Sequence, residues 1–478
     1  MNYHSISIFV ILIVLAYGLD RIKLNENGDF IDPHGRKVMF HGFNSVKKSP
    51  PYYEESILNE GRLQELKDRG FNIVRLGIIW NAAHLGENTF NKTYIEKMLE
   101  IVDALAAKGM YVILDMHQDG LSSSYGTYDA MPNWIIERFP KVNKFLQFPW
   151  PLLEKPSGAY WFKSYLTFEC QNSFQNLYDN VANALDLWRE FWIHISDRFK
   201  DKTSVLGYEL MNEPFAGNFY TNPLRILPGY AGKNNLLPSY DRLVDGIRSV
   251  DRESLIFYEP VTWGVFAPNS GSFGTGFHRV PGSDWELAKK TSVLSYHYYC
   301  WLLQTTDPSE KLPDWKKSVC DDNLMQEVFE ASERSVNQTG GGRVLTEFGL
   351  CAPDGDLESI NTIECDSIMK RADQSFQSWN YWDSVFFDYE GRIKETPMKY
   401  FSRCYPQYVS GDYVELKFEP LTGDCLFMFI YRPSESDIIL EMYLPKQSHY
   451  SKGYSLEITP KSLTWHEAEK TKTMLYRF

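Results

Sequence analysis

Residues 206–215 read Leu-Gly-Tyr-Glu-Leu-Met-Asn-Glu-Pro-Phe, an apolar run of strand character that ends in Asn212-Glu213-Pro214, where a carboxylate closes an otherwise uncharged tip. A strand apolar on both faces belongs in a parallel sheet covered by helices, because an exposed face would alternate with polar residues. An ionised group beside such a core is costly unless paired, and α/β enzymes place their chemistry at the C-terminal ends of parallel strands. Alone, Glu213 reads equally as a catalytic group or as a structural carboxylate capping the loop that follows.

The same unit recurs in both directions along the chain: an apolar strand, a polar strand end, a loop and an amphipathic helix. Strands are expected at residues 38–46, 72–80, 111–119, 204–214, 255–263, 292–299, 343–349 and 378–383, with helical patterns at 59–69, 92–108, 181–200, 240–250 and 323–335 between them. Eight such turns close naturally as an α/β (β/α)8 TIM barrel. Before it, residues 22–37 alternate and turn through Asn27-Gly28 and Pro33-His34-Gly35, as a hairpin covering the barrel floor would. The stretch 120–180 is too long for a plain connection and holds Met131-Pro132-Asn133-Trp134, Phe148-Pro149-Trp150 and Tyr160-Trp161-Phe162. It reads as a lid or substrate wall, with most of its aromatics forming the insertion's own small core. From residue 405 short alternating segments separated by turns replace helices, as in a small β-sandwich. The expected division is a signal peptide over 1–18, the barrel over 19–404 and the β-sandwich over 405–478.

Composition narrows the function. The 478 residues are 43% hydrophobic and 23% charged, as in an ordinary globular protein, and the net charge of −13 without a basic stripe argues against nucleic acid as a partner. Aromatic residues at 15% suit flat apolar ligand faces such as sugar rings, although large cores also consume them. Ser5 to Ala16 form an apolar segment ending in the small-x-small pattern Ala16-Tyr17-Gly18, read as a signal peptide with the mature chain starting near Leu19; an uncleaved anchor is the alternative. Secretion follows as the expected localisation, with a digestive or lysosomal compartment as variants. The seven cysteines fit it: proximity pairs Cys300 with Cys320, Cys351 with Cys365 and Cys404 with Cys425, leaving Cys170 unpaired. No Cys/His spacing suggests zinc, so neither metal nor cofactor is expected. Asn91-Lys92-Thr93 and Asn337-Gln338-Thr339 are glycosylation sequons.

The strand ends gather chemistry. Arg75 falls on the second strand, His117 and Asp119 on the third, Asn212 and Glu213 on the fourth, His297 and Tyr299 on the sixth, Glu347 on the seventh and Trp382 on the eighth. Each has a bland reading as a paired Arg, a satisfied core His or a packed Trp. Together they suit work on a sugar, for which retaining glycoside hydrolysis needs one protonated carboxyl and one ionised carboxylate about 5 Å apart. In that reading Arg75 and Tyr299 keep the nucleophile Glu347 ionised, while Glu213, in a less polar setting, keeps its proton. Asn212 binds the sugar hydroxyl beside the reacting carbon and Trp382 stacks on the ring.

Over residues 38–384 this pattern resembles the clan A, family-five retaining glycosidases. Within them, Gly42-Phe43-Asn44-Ser45-Val46 running into Lys48-Ser49-Pro50-Pro51-Tyr52, the His117-Gln118-Asp119 run, Met131-Pro132-Asn133-Trp134 and the C-terminal β-domain resemble the endoglycoceramidases. The resemblance implies a metal-free, retaining hydrolase, with a barrel followed by a β-sandwich, that cuts between the intact glycan and the ceramide of a glycosphingolipid. It implies Glu213 as acid/base and Glu347 as nucleophile, with Arg75, His117, Asn212, His297, Tyr299 and Trp382 around them. Lys48 and Asp119 match polar contacts to the sugar nearest the lipid. The loop from Gly120 to Gly126 carries less glycine than the family pattern, and His41 stands where Arg is common. A secreted β-glucanase or β-mannanase, or a glucosylceramidase, is the enzymic alternative, and a noncatalytic carbohydrate- or lipid-binding barrel the other. A monomer that touches a membrane or micelle surface transiently is the expected form.

Overall fold

The computed structural model describes residues 18–266, 274–304, 306–383, 386–468 and 473–477. The leader expected over residues 1–18 lies outside them, save its last residue. Eight parallel strands close a barrel: β1 (His41–Ser45), β2 (Ile73–Gly77), β3 (Tyr111–Asp115), β4 (Val205–Glu209), β5 (Leu255–Tyr258), β6 (Ser292–Tyr298), β7 (Gly342–Gly349) and β8 (Trp379–Trp382), the last pairing back onto β1. All their residues but Arg343 and Trp382 are buried, as parallel strands covered on both faces require.

Helices α1 (Glu60–Asp68), α2 (Lys92–Ala107), α3 (Ala184–Phe199), α4 (Leu237–Arg248), α5 (Trp285–Thr291), α6 (Gln326–Thr339), α7 (Ile360–Gln374) and α8 (Glu395–Phe401) follow the strands in turn. Caps set several starts: Asn59 accepts from Arg62 N, Asn91 from Tyr94 N and Ser359 from Thr362 N. Sequence periodicity misses α5 and α8, each two turns long, and α7, which buries Thr362, Glu364 and Asp373 and so blurs its apolar stripe. It also overextends β4 and β5, which stop at Glu209 and Tyr258 and leave Glu213 and Glu259 on the loops beyond.

The C-terminal strands are β9 (Tyr405–Val409), β10 (Gly411–Phe418), β11 (Cys425–Tyr431), β12 (Leu440–Tyr443), β13 (Thr464–Ala468) and β14 (Thr473–Arg477). The N-terminal strands Lys23–Leu24, Phe30–Ile31 and Lys37–Val38 run into this domain, giving one sheet in which Lys37–Val38 pairs with β9 and the order continues β12, β14, β13. The β10–β11 hairpin contributes Phe418, Phe427 and Phe429 to a shared core with Val409, Leu440 and Met442. The same N-terminal segment places Ile22, Leu24 and Phe30 against Ile73, Tyr111, Leu206 and Val293 at the lower ends of the barrel strands. Residues 22–38 thus plug the barrel floor and tie it to the C-terminal sheet. Buried Arg403 reinforces the junction, donating to Asp373 on α7 at 2.7 and 2.8 Å.

Two expected disulfides form, Cys300–Cys320 and Cys351–Cys365. The third does not: Cys404 and Cys425 are free thiols, as is buried Cys170. Cys425 Sγ points at the main-chain oxygen of Cys404, 3.8 Å away, so the two residues adjoin without bonding.

Candidate active site

The chemistry is built on a buried cation. Arg75 on β2 is fully enclosed and donates Nε to Glu209 at 2.5 Å, Nη1 to Asn44 and to Glu347 Oε2, both at 3.0 Å, and Nη2 to Asn212 Oδ1 at 2.9 Å. Asp115 and Glu259 stand 3.2 and 3.4 Å from Nη2. Burial alone would depress the guanidinium, but the surrounding carboxylates outweigh it and hold its pKa well above the usual value. A buried guanidinium with a rigid fork of donors can satisfy several acids at once, and it fixes β2, β4 and β7 to one another.

Glu213 lies four residues beyond β4 with a left-handed backbone, φ 41°, a conformation that needs support in a non-glycine residue. Gln118 supplies it, donating Nε2 to the carbonyls of Asn212 and Glu213 at 2.7 and 2.9 Å. Glu259 accepts from the Glu213 main-chain N–H at 3.2 Å. The Glu213 carboxylate meets His297 Nδ1 at 3.0 Å. Glu347, at the C-terminal end of β7, accepts from Tyr299 OH at 2.6 Å as well as from Arg75. Oxygens of Glu213 and Glu347 come within 4.8 Å of each other and of His297.

The proton balance differs from the sequence expectation, in which Glu213 holds a proton and Glu347 is ionised. Burial, with the charge of Glu213 added, pushes Glu347 up to about 7 against the pull of His297, Arg75 and Tyr299. Burial also raises Glu213, but the hydrogen bond and charge of His297, with Lys48 behind them, prevail and hold it below the usual range. His297 in turn is raised well above an ordinary imidazole, since the charges of Glu259 and Glu347 overcome its burial. The proton expected on Glu213 therefore rests on its neighbours. His297, as imidazolium, presents one to Glu213 Oε1 across 3.0 Å.

A second group of side chains forms a polar and aromatic wall. Lys48 pairs with Asp119 at 2.5 Å and lies 4.6 Å above the Trp382 ring. Trp382 also stacks with His117 at 5.1 Å and 10°. His117 Nδ1 bonds Asp115 at 2.7 Å, while Nε2 is buried without a hydrogen-bond partner. Burial and then Lys48 keep this imidazole neutral, so one nitrogen is free to meet a ligand hydroxyl. A cleft of about 410 Å³ joins Lys48, His117, Asp119 and Trp382 to Glu213, His297, Tyr299 and Glu347. Its remaining lining is largely apolar: Trp161, Phe162 and Tyr165 from the insertion, with Phe215, Trp263 and Leu350. Tyr165 stacks on Phe215 at 5.2 Å, and Phe215 meets Trp263 edge-on at 5.3 Å. Trp134, by contrast, packs on His84 and serves the core.

Eight of the ten expected residues line this cleft. Arg75 and Asn212 do not: they lie behind it, fully enclosed. Asn212, expected to hold a sugar hydroxyl, accepts from Arg75 at Oδ1 and donates Nδ2 to Gln118 O at 3.0 Å, bracing the turn that carries Glu213. Sequence reasoning misses Asp115, Glu209 and Glu259. Burial pushes Glu259 up to about 8 and Asp115 up to about 6. A signal for Glu259 was present, since Tyr258-Glu259-Pro260 repeats at β5 the Glu-Pro step after β4. Glu209, Glu259 and His297 cluster closely enough for a metal ion, but the Arg75 guanidinium already bonds both acids. A cation there would face that charge, so the donor set does not fit a metal.

Paired carboxylates at the C-terminal mouth of a (β/α)8 barrel suit a glycosidase, and the chain belongs to glycosyl hydrolase family 5. The family's cellulase model matches residues 31–387, and the glycoside hydrolase family 5 C-terminal domain matches residues 403–477. Within the family it is similar to endoglycoceramidases: 33% identical to that of Cyanea nozakii, covering 93% of this chain and 88% of the relative, and 32% identical to that of Hydra vulgaris, covering 95% and 87%. The fold matches endo-glycoceramidase II from Rhodococcus sp., solved as a ganglioside GM3 complex, with a TM-score of 0.72, 20% identity and coverage of 93% and 95%.

Proposed function

We propose that this chain is a retaining endoglycosidase that cleaves the β-glycosidic bond between the oligosaccharide and the ceramide of glycosphingolipids. The observation that carries the reading is the cleft itself. Two carboxylates with oxygens within 4.8 Å line one cleft together with the Lys48–Trp382–His117 group and the Tyr165–Phe215–Trp263 group. That spacing suits double displacement, since an inverting site must hold a water between its carboxyls and so sets them further apart. The polar wall suits the sugar and the apolar wall the lipid. The relatives named above support the same substrate class.

Glu347 attacks the anomeric carbon, oriented by Arg75 and Tyr299. Glu213 takes the proton from His297 Nδ1 and passes it to the departing ceramide oxygen, then returns as base to activate the water that releases the glycan. The coupled carboxyls and His297 act as one proton reservoir, so no residue has to keep the proton between turnovers. Lys48, Asp119 and His117 Nε2 bind hydroxyls of the sugar nearest the lipid, with Trp382 beneath its ring.

The remaining parts of the reading are secretion after loss of the leader, transient contact with a membrane or micelle, and a monomer. A glycan would sit on Asn337, which is exposed on α6. Asn91 is engaged as the α2 cap and bonds Ala82 O. The deciding experiment is mass analysis of both products from one defined glycosphingolipid. Intact oligosaccharide plus ceramide is expected. Monosaccharides alone, or turnover confined to soluble β-glucan, would sink the reading.

A further inference from the structure

Between β4 and α4 the chain presents an apolar outcrop beside the cleft. Leu224, Ile226 and Leu227 are 50, 51 and 46% exposed within four residues, in and after the short turn Pro223–Ile226. Single exposed aliphatics are ordinary on a protein surface. Here the usual arrangement is reversed, because the one charge in the run, Arg225, folds back to donate to Asn218 O at 2.7 Å and Thr221 Oγ1 at 3.1 Å. The aliphatic side chains take the solvent and the cation is tied to the protein.

The outcrop is joined to the cleft wall. Trp263, which lines the cleft, donates its Nε1 to the carbonyl of Ile226 at 3.1 Å. Tyr220 reaches across to the insertion and donates to Leu166 O at 2.7 Å. Leu166 is itself 46% exposed and directly follows the cleft residue Tyr165. Exposed apolar surface therefore runs on from the Tyr165–Phe215–Trp263 wall.

We infer that Leu224, Ile226 and Leu227, with Leu166, form a docking surface that inserts into the lipid surface carrying the substrate, bringing the apolar wall of the cleft to the acyl region. This rests on the proposed ceramide substrate. The occupant is a lipid surface of zwitterionic character: with a net charge of −13 and Arg225 withdrawn, the protein offers little to an anionic headgroup. Attachment comes from apolar burial and is insensitive to salt.

Sedimentation with phosphatidylcholine vesicles containing no glycolipid tests docking apart from hydrolysis. The native chain is expected to bind at low and high salt. Leu224→Ser/Ile226→Ser/Leu227→Ser should weaken binding by about tenfold or more, lose hydrolysis of vesicle-embedded glycosphingolipid, and keep its rate on a water-soluble aryl lactoside. Equal vesicle binding by native and triple-substituted chains, or none by either, overturns the proposal. So does parallel loss of both activities, which would place these residues in the fold. Should the triple variant not fold, Leu224→Trp gives a second reading: its emission should shift to the blue with vesicles and be quenched by brominated acyl chains, and an unchanged spectrum overturns the inference. Failure to release ceramide from any glycolipid while vesicle binding persists would count against the proposed substrate alone.

Discussion

His297 Nδ1 lies 3.0 Å from Glu213 Oε1 and 3.9 Å from Glu347 Oε1, so one imidazolium faces both members of the carboxylate pair. It is raised by Glu259 and Glu347 and lowers Glu213 in return. Turnover needs one proton in this group: a second uptake, onto Glu347 below about 7, neutralises the nucleophile, and loss of the proton on His297 removes the acid. The pH profile of kcat/KM is therefore expected to be bell-shaped, with an acid limb near 7 where Glu347 is neutralised and an alkaline limb where His297 releases the shared proton. His297→Ala should lower kcat/KM by about 10²-fold. It should also move the alkaline limb, because the shared proton is then held by the carboxylate pair alone. An alkaline limb that stays in place would contradict His297 as a member of the group that shares the proton.

The two carboxylates are told apart by what rescues them. Glu347→Gln should abolish turnover while leaving glycosphingolipid binding within a few-fold, since the amide keeps the shape and loses the nucleophile. Glu213→Ala should retain the first step on a substrate whose leaving group needs no proton, such as a nitrophenyl lactoside, and stall at the second. Added azide should then speed turnover and give a glycosyl azide of retained configuration. Azide rescue at Glu347 in place of Glu213 would exchange the two roles.

How far the site can be read from sequence depends on which distances it needs. Glu213, Glu347, His297 and Tyr299 are polar groups at the ends of apolar strands, so the alternation of the barrel exposes them as a set. Glu209 and Asp115 also end strands, but each was absorbed into an apolar run, and only the position of Arg75 shows that they surround one cation. The bonds of Asn212 to Arg75 and Gln118 are likewise visible only in the fold. The proton's location follows from separations of about 3–5 Å between residues on four different strands and loops, and no spacing along the chain encodes those.

Both disulfides begin beside catalytic strand ends. Cys300 directly follows Tyr299, and Cys351 stands four residues after Glu347. Each closes a loop that would otherwise leave β6 or β7 free to splay. Paired replacement of Cys300 and Cys320 by Ser is expected to destabilise the chain by about 2–4 kcal/mol in denaturant unfolding and to loosen Tyr299 on Glu347, lowering kcat more than KM rises. Alkylation of the unfolded, unreduced chain should label three thiols, at Cys170, Cys404 and Cys425. Labelling of Cys170 alone would show that Cys404 and Cys425 are joined after all.

Glu259 gives a stability test that does not depend on substrate. Its carboxyl is pushed from an ordinary 4.5 up to about 8, first by burial, so between those values the folded chain holds a proton that the unfolded chain has released. Stability must then fall as pH rises through that window and level off above it. Glu259→Gln keeps the neutral shape and removes the titration. The variant's Tm should match the native chain's near pH 4.5 and exceed it by a margin that grows toward pH 8. A margin independent of pH, or one that shrinks as pH rises, would show that Glu259 is ionised throughout and that Arg75, rather than burial, governs it.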